Sequence, residues 1–191
     1  DKAISKNLST IVELRHQIHQ YPELGNREFK TAELVAEHLR SLGIEVETGV
    51  AYTGVVGILK GNKPGPVVAV RADMDALPVT EETDLSFKST VKTTYLDKEV
   101  GVMHACGHDI HTSVQLGVAS VLASMKRSLP GTVKFIFQPA EEGPPPGEEG
   151  GADLMLKEGV FDNLKPSAIF GLHTQPGLAV GELGLTIGPA M

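Results

Sequence analysis

The segment VVAVRADMD, residues 67–75, joins an apolar run directly to charged side chains. Val67 to Val70 is continuously apolar and rich in β-branched residues, which is typical of a strand buried on both faces of a sheet. Arg71 follows at once, and Asp73 and Asp75 come next. This order predicts a buried strand whose carboxyl end presents acidic side chains.

Further strands and helices are predicted on both sides of this run. The helical spacing of apolar residues predicts two helices within residues 1–43 and another from Ile110 to Met125. Strand patterns occupy residues 44–48, 55–59, 133–137 and 168–172, and residues 152–158 are predicted to form a short helix. Strands that alternate with helices in this way predict an α/β layered domain with a largely parallel sheet.

Composition and length exclude several classes of protein. The 191 residues are 41% hydrophobic and 21% charged, as expected for one globular domain with a sizeable core. A formal net charge of -7 argues against nucleic acid or an anionic membrane surface as the partner. No apolar run is long enough to cross a bilayer, so we expect no membrane association.

The cellular compartment stays open at this point. The chain starts at Asp1 without a methionine, so we expect that a signal peptide, a tag or an initiator residue has been removed. A cytoplasmic and a periplasmic or secreted location are both compatible with the sequence. The single cysteine, Cys106, excludes an internal disulfide, and its thiol is therefore a ligand, a nucleophile or a buried group.

The segment MHACGHDIH, residues 103–111, concentrates side chains that can bind a metal. Sulfur, imidazole and carboxylate are ligands for zinc, manganese, nickel or cobalt. Gly107 gives the backbone the freedom to aim Cys106 and His108 at one point. Two residues keep alternative interpretations: His104 is a ligand or a group that supports the ligands, and Asp109 is a ligand or only a helix cap.

Three predicted strands end in residues of the same chemical kind. The strand at 67–70 leads to Asp73, the strand at 133–137 leads to Glu141 and Glu142, and the strand at 168–172 leads to His173. The carboxyl ends of parallel strands form the usual functional crevice of an open α/β sheet. Of two adjacent glutamates at such a place, we expect one to bind metal and the other to stay free. A free carboxylate beside a metal-bound water is a general base.

Four segments in order resemble a known family. They are RHQIHQYPEL at 15–24, RADMDALP at 71–78, HACGHDIH at 104–111 and QPAEEG at 138–143. Together they resemble the amidohydrolase branch of the aminoacylase/carboxypeptidase G metallopeptidases. This branch includes hippurate hydrolases, N-acetyl-diaminopimelate deacetylases and plant auxin-conjugate hydrolases. The resemblance implies a three-layer α/β sandwich with a largely parallel mixed sheet flanked by helices.

The resemblance also implies a site with two divalent metal ions. Its metal ligands in this chain would be Cys106, His108, Glu142 and His173, with manganese, zinc, nickel or cobalt as the metal. Glu141 would be the catalytic base, and Asp73 matches the acidic residue that supports the site. Arg71 occupies the position where other branches of the family have a metal-binding histidine.

The implied activity is hydrolysis of the amide bond of N-acyl amino acids or small N-acylated peptides by a metal-bridging water. In the family a lid domain interrupts the catalytic domain, and a last histidine ligand follows the lid. We therefore expect residues 1–191 to be the N-terminal part of the catalytic domain, without the lid and dimerisation domain. The full-length protein would then be a homodimer. The loop at Pro144–Pro146 is longer than is usual in the family.

Two other functions remain as alternatives. The chain could be an inert metal-binding or interaction fragment of such an enzyme. It could instead be a cysteine hydrolase, with Cys106 as the nucleophile and His104 or His108 as the base. The second alternative leaves Glu141, Glu142 and His173 without a role.

Overall fold

The computed structural model describes residues 2–185. This part of the chain contains seven strands and four helices, joined by turns and loops. The helices and strands, in chain order, are α1 Lys2–Gln20, α2 Phe29–Ser41, β1 Glu45–Val50, β2 Gly54–Lys60, β3 Lys63–Asp73, β4 Lys92–Tyr95, β5 Lys98–Gly101, α3 His108–Ser124, β6 Pro130–Gln138, α4 Gly151–Lys157 and β7 Ala168–Gly171. Every helix and strand named in the sequence analysis is found, within a few residues of its predicted bounds.

Five of the strands form one mixed sheet in the order β1-β2-β6-β3-β7. β3 pairs in parallel with β6 on one side and with β7 on the other. β2 pairs with β6 in antiparallel fashion, and β1 pairs with β2 at the edge of the sheet. The β1–β2 pair is antiparallel because a short turn joins the two strands. The parallel half of the sheet therefore brings the carboxyl ends of β6, β3 and β7 to one edge.

Helices cover both faces of the sheet. Alternate side chains of β6 point to opposite faces: Phe135 and Phe137 belong to the larger core cluster with α2 and α3, and Ile136 packs against Met155 of α4. α1 packs on α3 in the helical layer. This arrangement confirms the predicted α/β sandwich. Within residues 2–185, no helix is both long and apolar enough to cross a membrane.

Two details differ from the sequence prediction. β4 and β5 form a separate hairpin that was not predicted, because its strands are short and largely polar and its turn, Leu96-Asp97, lacks the glycine-containing pair that usually marks a hairpin. Both of these residues have positive φ values, 50° and 61°. The run Val67–Val70 was predicted to be fully buried, but only Ala69 is; the three valines are half-buried.

Candidate metal centre

The segments predicted to carry the chemistry meet at the start of α3. Asp73 at the end of β3 lies beside Gln138 at the end of β6, and the amide of Met74 donates to the Gln138 carbonyl over 3.0 Å. The Glu141–Glu142 segment follows β6, and His173 lies just beyond β7. Because β3, β6 and β7 are parallel, these side chains collect around His108, the first residue of α3.

His108 is oriented as a metal-binding histidine would be. Its Nδ1 lies 2.8 Å from the backbone carbonyl of Asp75, and a carbonyl can only accept, so Nδ1 carries the hydrogen. Nε2 is buried without a hydrogen-bond partner. A buried nitrogen without a hydrogen-bond partner is energetically costly. When a histidine binds a metal through one ring nitrogen, its other ring N–H usually donates to a carbonyl or carboxylate, as Nδ1 of His108 does here.

Acidic groups surround this unpaired nitrogen. Nε2 of His108 lies 3.6 Å from Glu141 Oε2 and 3.8 Å from each of Glu142 Oε1 and Asp73 Oδ2. Burial would lower the pKa of His108, but its hydrogen bond to Asp75 and the nearby carboxylate charges outweigh burial and raise it. The carboxylates give the pocket a negative potential, and the ligand atoms of His108, Glu141 and Glu142 lie within 4.8 Å of one another, which fits a divalent cation.

Cys106 and His173 complete the predicted ligand set beside His108. Cys106 Sγ lies 3.7 Å from His173 Nε2, and Cys106, His108 and His173 can each offer a ligand atom within 4.8 Å of the others. Burial, followed by the adjacent Glu142, raises the pKa of the Cys106 thiol to about 12. Such a thiol is a poor nucleophile at neutral pH, whereas a bound divalent cation would favour the thiolate.

Both carboxylate oxygens of Asp73 accept hydrogen bonds from neighbouring side chains. Its Oδ1 accepts from Nδ1 of His111 over 2.7 Å, and its Oδ2 accepts from Arg71 over 2.5 Å. Burial would raise the pKa of Asp73, but the His111 hydrogen bond and the Arg71 charge lower it to about 2. The amide of Thr174 donates to Nε2 of His111 over 2.8 Å, so both nitrogens of that ring are satisfied. Asp73 and His111 therefore link β3 to α3 and to the segment that carries His173.

The two residues with alternative interpretations are both buried outside the ligand groups of the described chain. Asp109 does not cap α3; its carboxylate accepts from Arg15 Nε over 2.9 Å and contacts Nδ1 of His19 at 3.0 Å. Residue Gly107 occupies the N-cap position of α3. Both nitrogens of His104 are buried without a hydrogen-bond partner, and burial lowers the pKa of His104 to about 4, so its ring is neutral at pH 7.

Gly107 has the backbone conformation expected from the sequence. Its φ of +89° lies in the left-handed region that favours glycine. A Cβ on Gly107 would lie 2.3 Å from the Oγ1 of Thr174, which is too close for any side chain. Glycine at this position therefore lets Cys106, His108 and the segment after β7 approach one another.

Two acidic residues to which the sequence analysis assigned no role hold the backbone of the site. Asp75 accepts the backbone amide of Glu142 over 2.9 Å and contacts His108 Nδ1 at 3.2 Å. Glu28 accepts the backbone amide of Ala140 over 2.8 Å. The signal for Asp75 was its position two residues after Asp73. Glu28 stands directly before a predicted helix, where it resembled an ordinary helix-start residue.

A cleft of about 630 Å³ opens next to Glu142. Its walls include Leu77, the β4–β5 hairpin with Tyr95, the α1–α2 loop with Tyr21, and the proline-rich loop at Pro145. Charged side chains such as Arg27, Lys30 and Lys92 line it together with the aromatic and aliphatic ones, a mixture that suits a small polar molecule.

Comparison with known proteins agrees with this geometry. Residues 69–188 match Peptidase family M20/M25/M40. The chain belongs to this family. It is 48% identical over 182 residues to thermostable carboxypeptidase 1 of Saccharolobus solfataricus, covering 95% of this chain and 43% of that protein. It is 42% identical over 192 residues to the N-acetylcysteine deacetylase of Bacillus subtilis, covering 100% of this chain and 46% of that protein.

A solved structure is similar as well. A Bacillus subtilis protein described as a dinuclear metal binding peptidase from the M20 family superposes with a TM-score of 0.83 at 42% identity. The match covers 99% of this chain and 48% of that one. The chain thus spans less than half the length of these relatives. The family resemblance inferred from the four sequence segments is confirmed.

Proposed function

We propose that this chain forms part of a metal-dependent hydrolase that cleaves the amide bond of N-acyl amino acids or small N-acylated peptides. The observation that carries the proposal is the unpaired, buried Nε2 of His108, with Cys106 and the two glutamates beside it. Two divalent metal ions would supply an activated water and stabilise the developing negative charge. Cys106, His108, Glu142 and His173 would hold them.

The two adjacent glutamates have different surroundings that support different roles. The amide of Glu142 is held by Asp75, and its side chain is 28% exposed. The side chain of Glu141 is 38% exposed and lies toward His108 Nε2. Glu141 is the more accessible carboxylate, so we assign it as the base that takes a proton from the water and passes it to the leaving amine. Asp73 would support the site through His111.

The relatives' names support amide chemistry and a two-metal site. One is named a carboxypeptidase, one a deacetylase and one a dinuclear metal binding peptidase. The cleft beside Glu142 would receive the part of a small substrate that does not react. Sulfur, nitrogen and oxygen donors together accept manganese, zinc, nickel or cobalt. Residues 1–191 would be the N-terminal part of the catalytic domain, and the full-length enzyme would be a homodimer.

Replacing Glu141 tests the proposed base. General acid–base catalysis contributes about 10²–10⁴-fold, so E141Q should lower kcat for an N-acyl amino acid by at least about 100-fold with its metal content unchanged. Glu149, an exposed glutamate of the same loop, provides the matched control, and E149Q should keep the wild-type rate. A near-normal rate for E141Q would remove Glu141 from the mechanism.

Treatment with chelators and with thiol reagents separates this proposal from a cysteine hydrolase. The raised pKa of Cys106 argues against a nucleophilic thiolate in the metal-free protein. We expect chelation to abolish hydrolysis and added metal to restore it. Activity that survives chelation but is lost on alkylation of Cys106 would favour the cysteine mechanism instead.

A further inference from the structure

A buried glutamate outside the metal-binding segments contacts the loop that carries Glu141 and Glu142. Glu28 precedes α2 and is 0% exposed. Its carboxylate does not cap α2. Instead, Oε1 accepts the amide of Ala140 over 2.8 Å, and Oε2 accepts the hydroxyl of Thr53 over 2.6 Å. Glu28 therefore joins the start of α2, the β1–β2 turn and the loop after β6.

The amide that Glu28 accepts belongs to a residue in an unfavourable backbone conformation. Ala140 has φ +46°, in the left-handed region that non-glycine residues rarely adopt. Such a residue persists only where its surroundings hold it. Ala140 directly precedes Glu141, so its backbone angles set the direction in which Glu141 and Glu142 leave the strand.

The same loop is held at two further points. A Cβ on Gly25 would lie 2.8 Å from the Gly143 carbonyl oxygen and 3.1 Å from the Ala140 Cβ, so the α1–α2 turn packs directly against the loop. On the other side of Glu141, the amide of Glu142 donates to Asp75 over 2.9 Å. Both amides that flank Glu141 are thus bound by buried carboxylates.

The contacts of Glu28 use its two oxygens as hydrogen-bond acceptors and do not require its charge. Its two hydrogen-bond partners are a hydroxyl and an amide, neither of them charged. Burial raises the pKa of Glu28 to about 7, which reflects the penalty of keeping a carboxyl group there. A side-chain amide could make both hydrogen bonds without that penalty.

We propose that Glu28 is a positioning residue for hydrolysis, which aims the Glu141–Glu142 pair by holding the left-handed backbone of Ala140. The inference rests on the proposed function of that pair. Loss of the hydrogen bond frees Ala140 to relax toward a common conformation. The displacement of Glu141 and Glu142 that follows would affect catalysis and metal coordination more than substrate binding.

Three variants test the role of Glu28. E28A removes the hydrogen-bond acceptor, and E28Q keeps an oxygen for Ala140 and an amide for Thr53. E158A is the matched control. Glu158 Oε2 accepts the amide of Ala51 over 2.6 Å, and Ala51 is another left-handed alanine (φ 50°), but this bond holds the β1–β2 turn rather than the loop after β6. Each is prepared from the longest gene product that contains this chain, loaded with cobalt, and assayed where circular dichroism shows it folded.

The expected outcomes separate positioning from general stability. A misplacement of about 1 Å can cost roughly 100-fold in rate, so E28A should lower kcat by about that factor with little change in KM. It should also alter the thiolate-to-cobalt charge-transfer band. E28Q should restore most of kcat and the wild-type spectrum, and E158A should leave both unchanged even where its unfolding midpoint falls.

Several outcomes would overturn the inference. They are a wild-type kcat and cobalt spectrum for folded E28A, or an equal loss of kcat in E158A. If E28A does not fold, T53V decides, since it removes the donor to Oε2: a lower kcat supports the role and an unchanged kcat overturns it. A wild-type protein that neither binds cobalt nor cleaves N-acyl amino acids would instead overturn the proposed function.

Discussion

At the scale of single residues, His108 and Asp73 occupy one buried pocket with different partners. The hydrogen on Nδ1 of His108 points to the Asp75 carbonyl, which leaves Nε2 facing Cys106, Glu141 and Glu142. Asp73 is fully paired with His111 and Arg71. A metal ion would satisfy the nitrogen that the protein leaves unpaired, whereas the oxygens of Asp73 already accept from His111 and Arg71, which fits the proposed supporting role.

The pH dependence of stability should report the burial of Glu28. Burial raises its pKa from 4.5 to about 7. Below pH 4.5 the carboxyl group is neutral in the folded and the unfolded chain, and its full contribution to stability is present. As the pH rises from 4.5 to 7, the unfolded chain ionises first, so this contribution is lost, by roughly 3 kcal/mol at most.

The variant E28Q does not titrate and isolates this effect. Its free energy of unfolding, measured in urea across that pH range, should fall less than that of the wild type as the pH rises. Between pH 4.5 and 7 the free energy of unfolding of E28Q should therefore rise relative to that of the wild type. Parallel pH profiles for the two proteins would show that Glu28 is not buried as described.

Site residues could be predicted from the sequence where a reactive side chain lies at the boundary of a recognisable strand or helix. Cys106, His108, Glu141, Glu142 and His173 stand at the ends of recognisable strands or at a helix start, and the structure brings all five together. Their roles as ligands and base stay predictions. Glu28 could not be found in this way, because its partner lies 112 residues away along the chain.

At the scale of helices and strands, α1 and α3 are joined by a buried charge cluster. Asp109, in the first turn of α3, accepts from Arg15 of α1 and contacts His19 of the same helix. His19 in turn contacts Glu81 at 3.2 Å. The hydrogen bond to Asp109, partly opposed by burial, raises the pKa of His19. The cluster fixes the beginning of α3, from which His108 projects.

Removing Asp109 should therefore destabilise the fold. Loss of one partner from a buried ion pair costs about 3–5 kcal/mol, and Arg15 is partly exposed, so we expect about 3 kcal/mol for D109A in urea unfolding. D153A is the matched control, because Asp153 also lies in the first turn of a helix but is exposed. Its change should stay within about 0.5 kcal/mol. Equal effects of the two variants would contradict a stabilising role for the cluster.

Helices and strands could be predicted from the sequence where they carry a regular apolar pattern. The three strands of the parallel half were found because each is an apolar run followed by polar residues, and the three long helices because their apolar faces repeat with helical spacing. The β4–β5 hairpin has neither signal. Its residues are mostly exposed or half-buried, so no hydrophobic pattern distinguishes it from a loop.

At the scale of the whole molecule, the sheet order explains why segments far apart in sequence share one site. β3 lies between β6 and β7, so the residues after all three strands reach the same edge, where α3 begins. The sequence could predict this convergence only on the assumption that the strands are parallel neighbours. Sheet order depends on pairings between distant segments, which local patterns do not record.

We propose that this edge of the sheet holds divalent metal through Cys106, His108, Glu142 and His173. The most direct test is metal stoichiometry by plasma mass spectrometry on dialysed protein, prepared as the longest gene product that contains this chain, beside C106S. We predict about two divalent ions per chain in the wild type and a clear loss in C106S. A wild-type protein without bound metal, or a C106S variant with wild-type metal content, would contradict the proposed metal site.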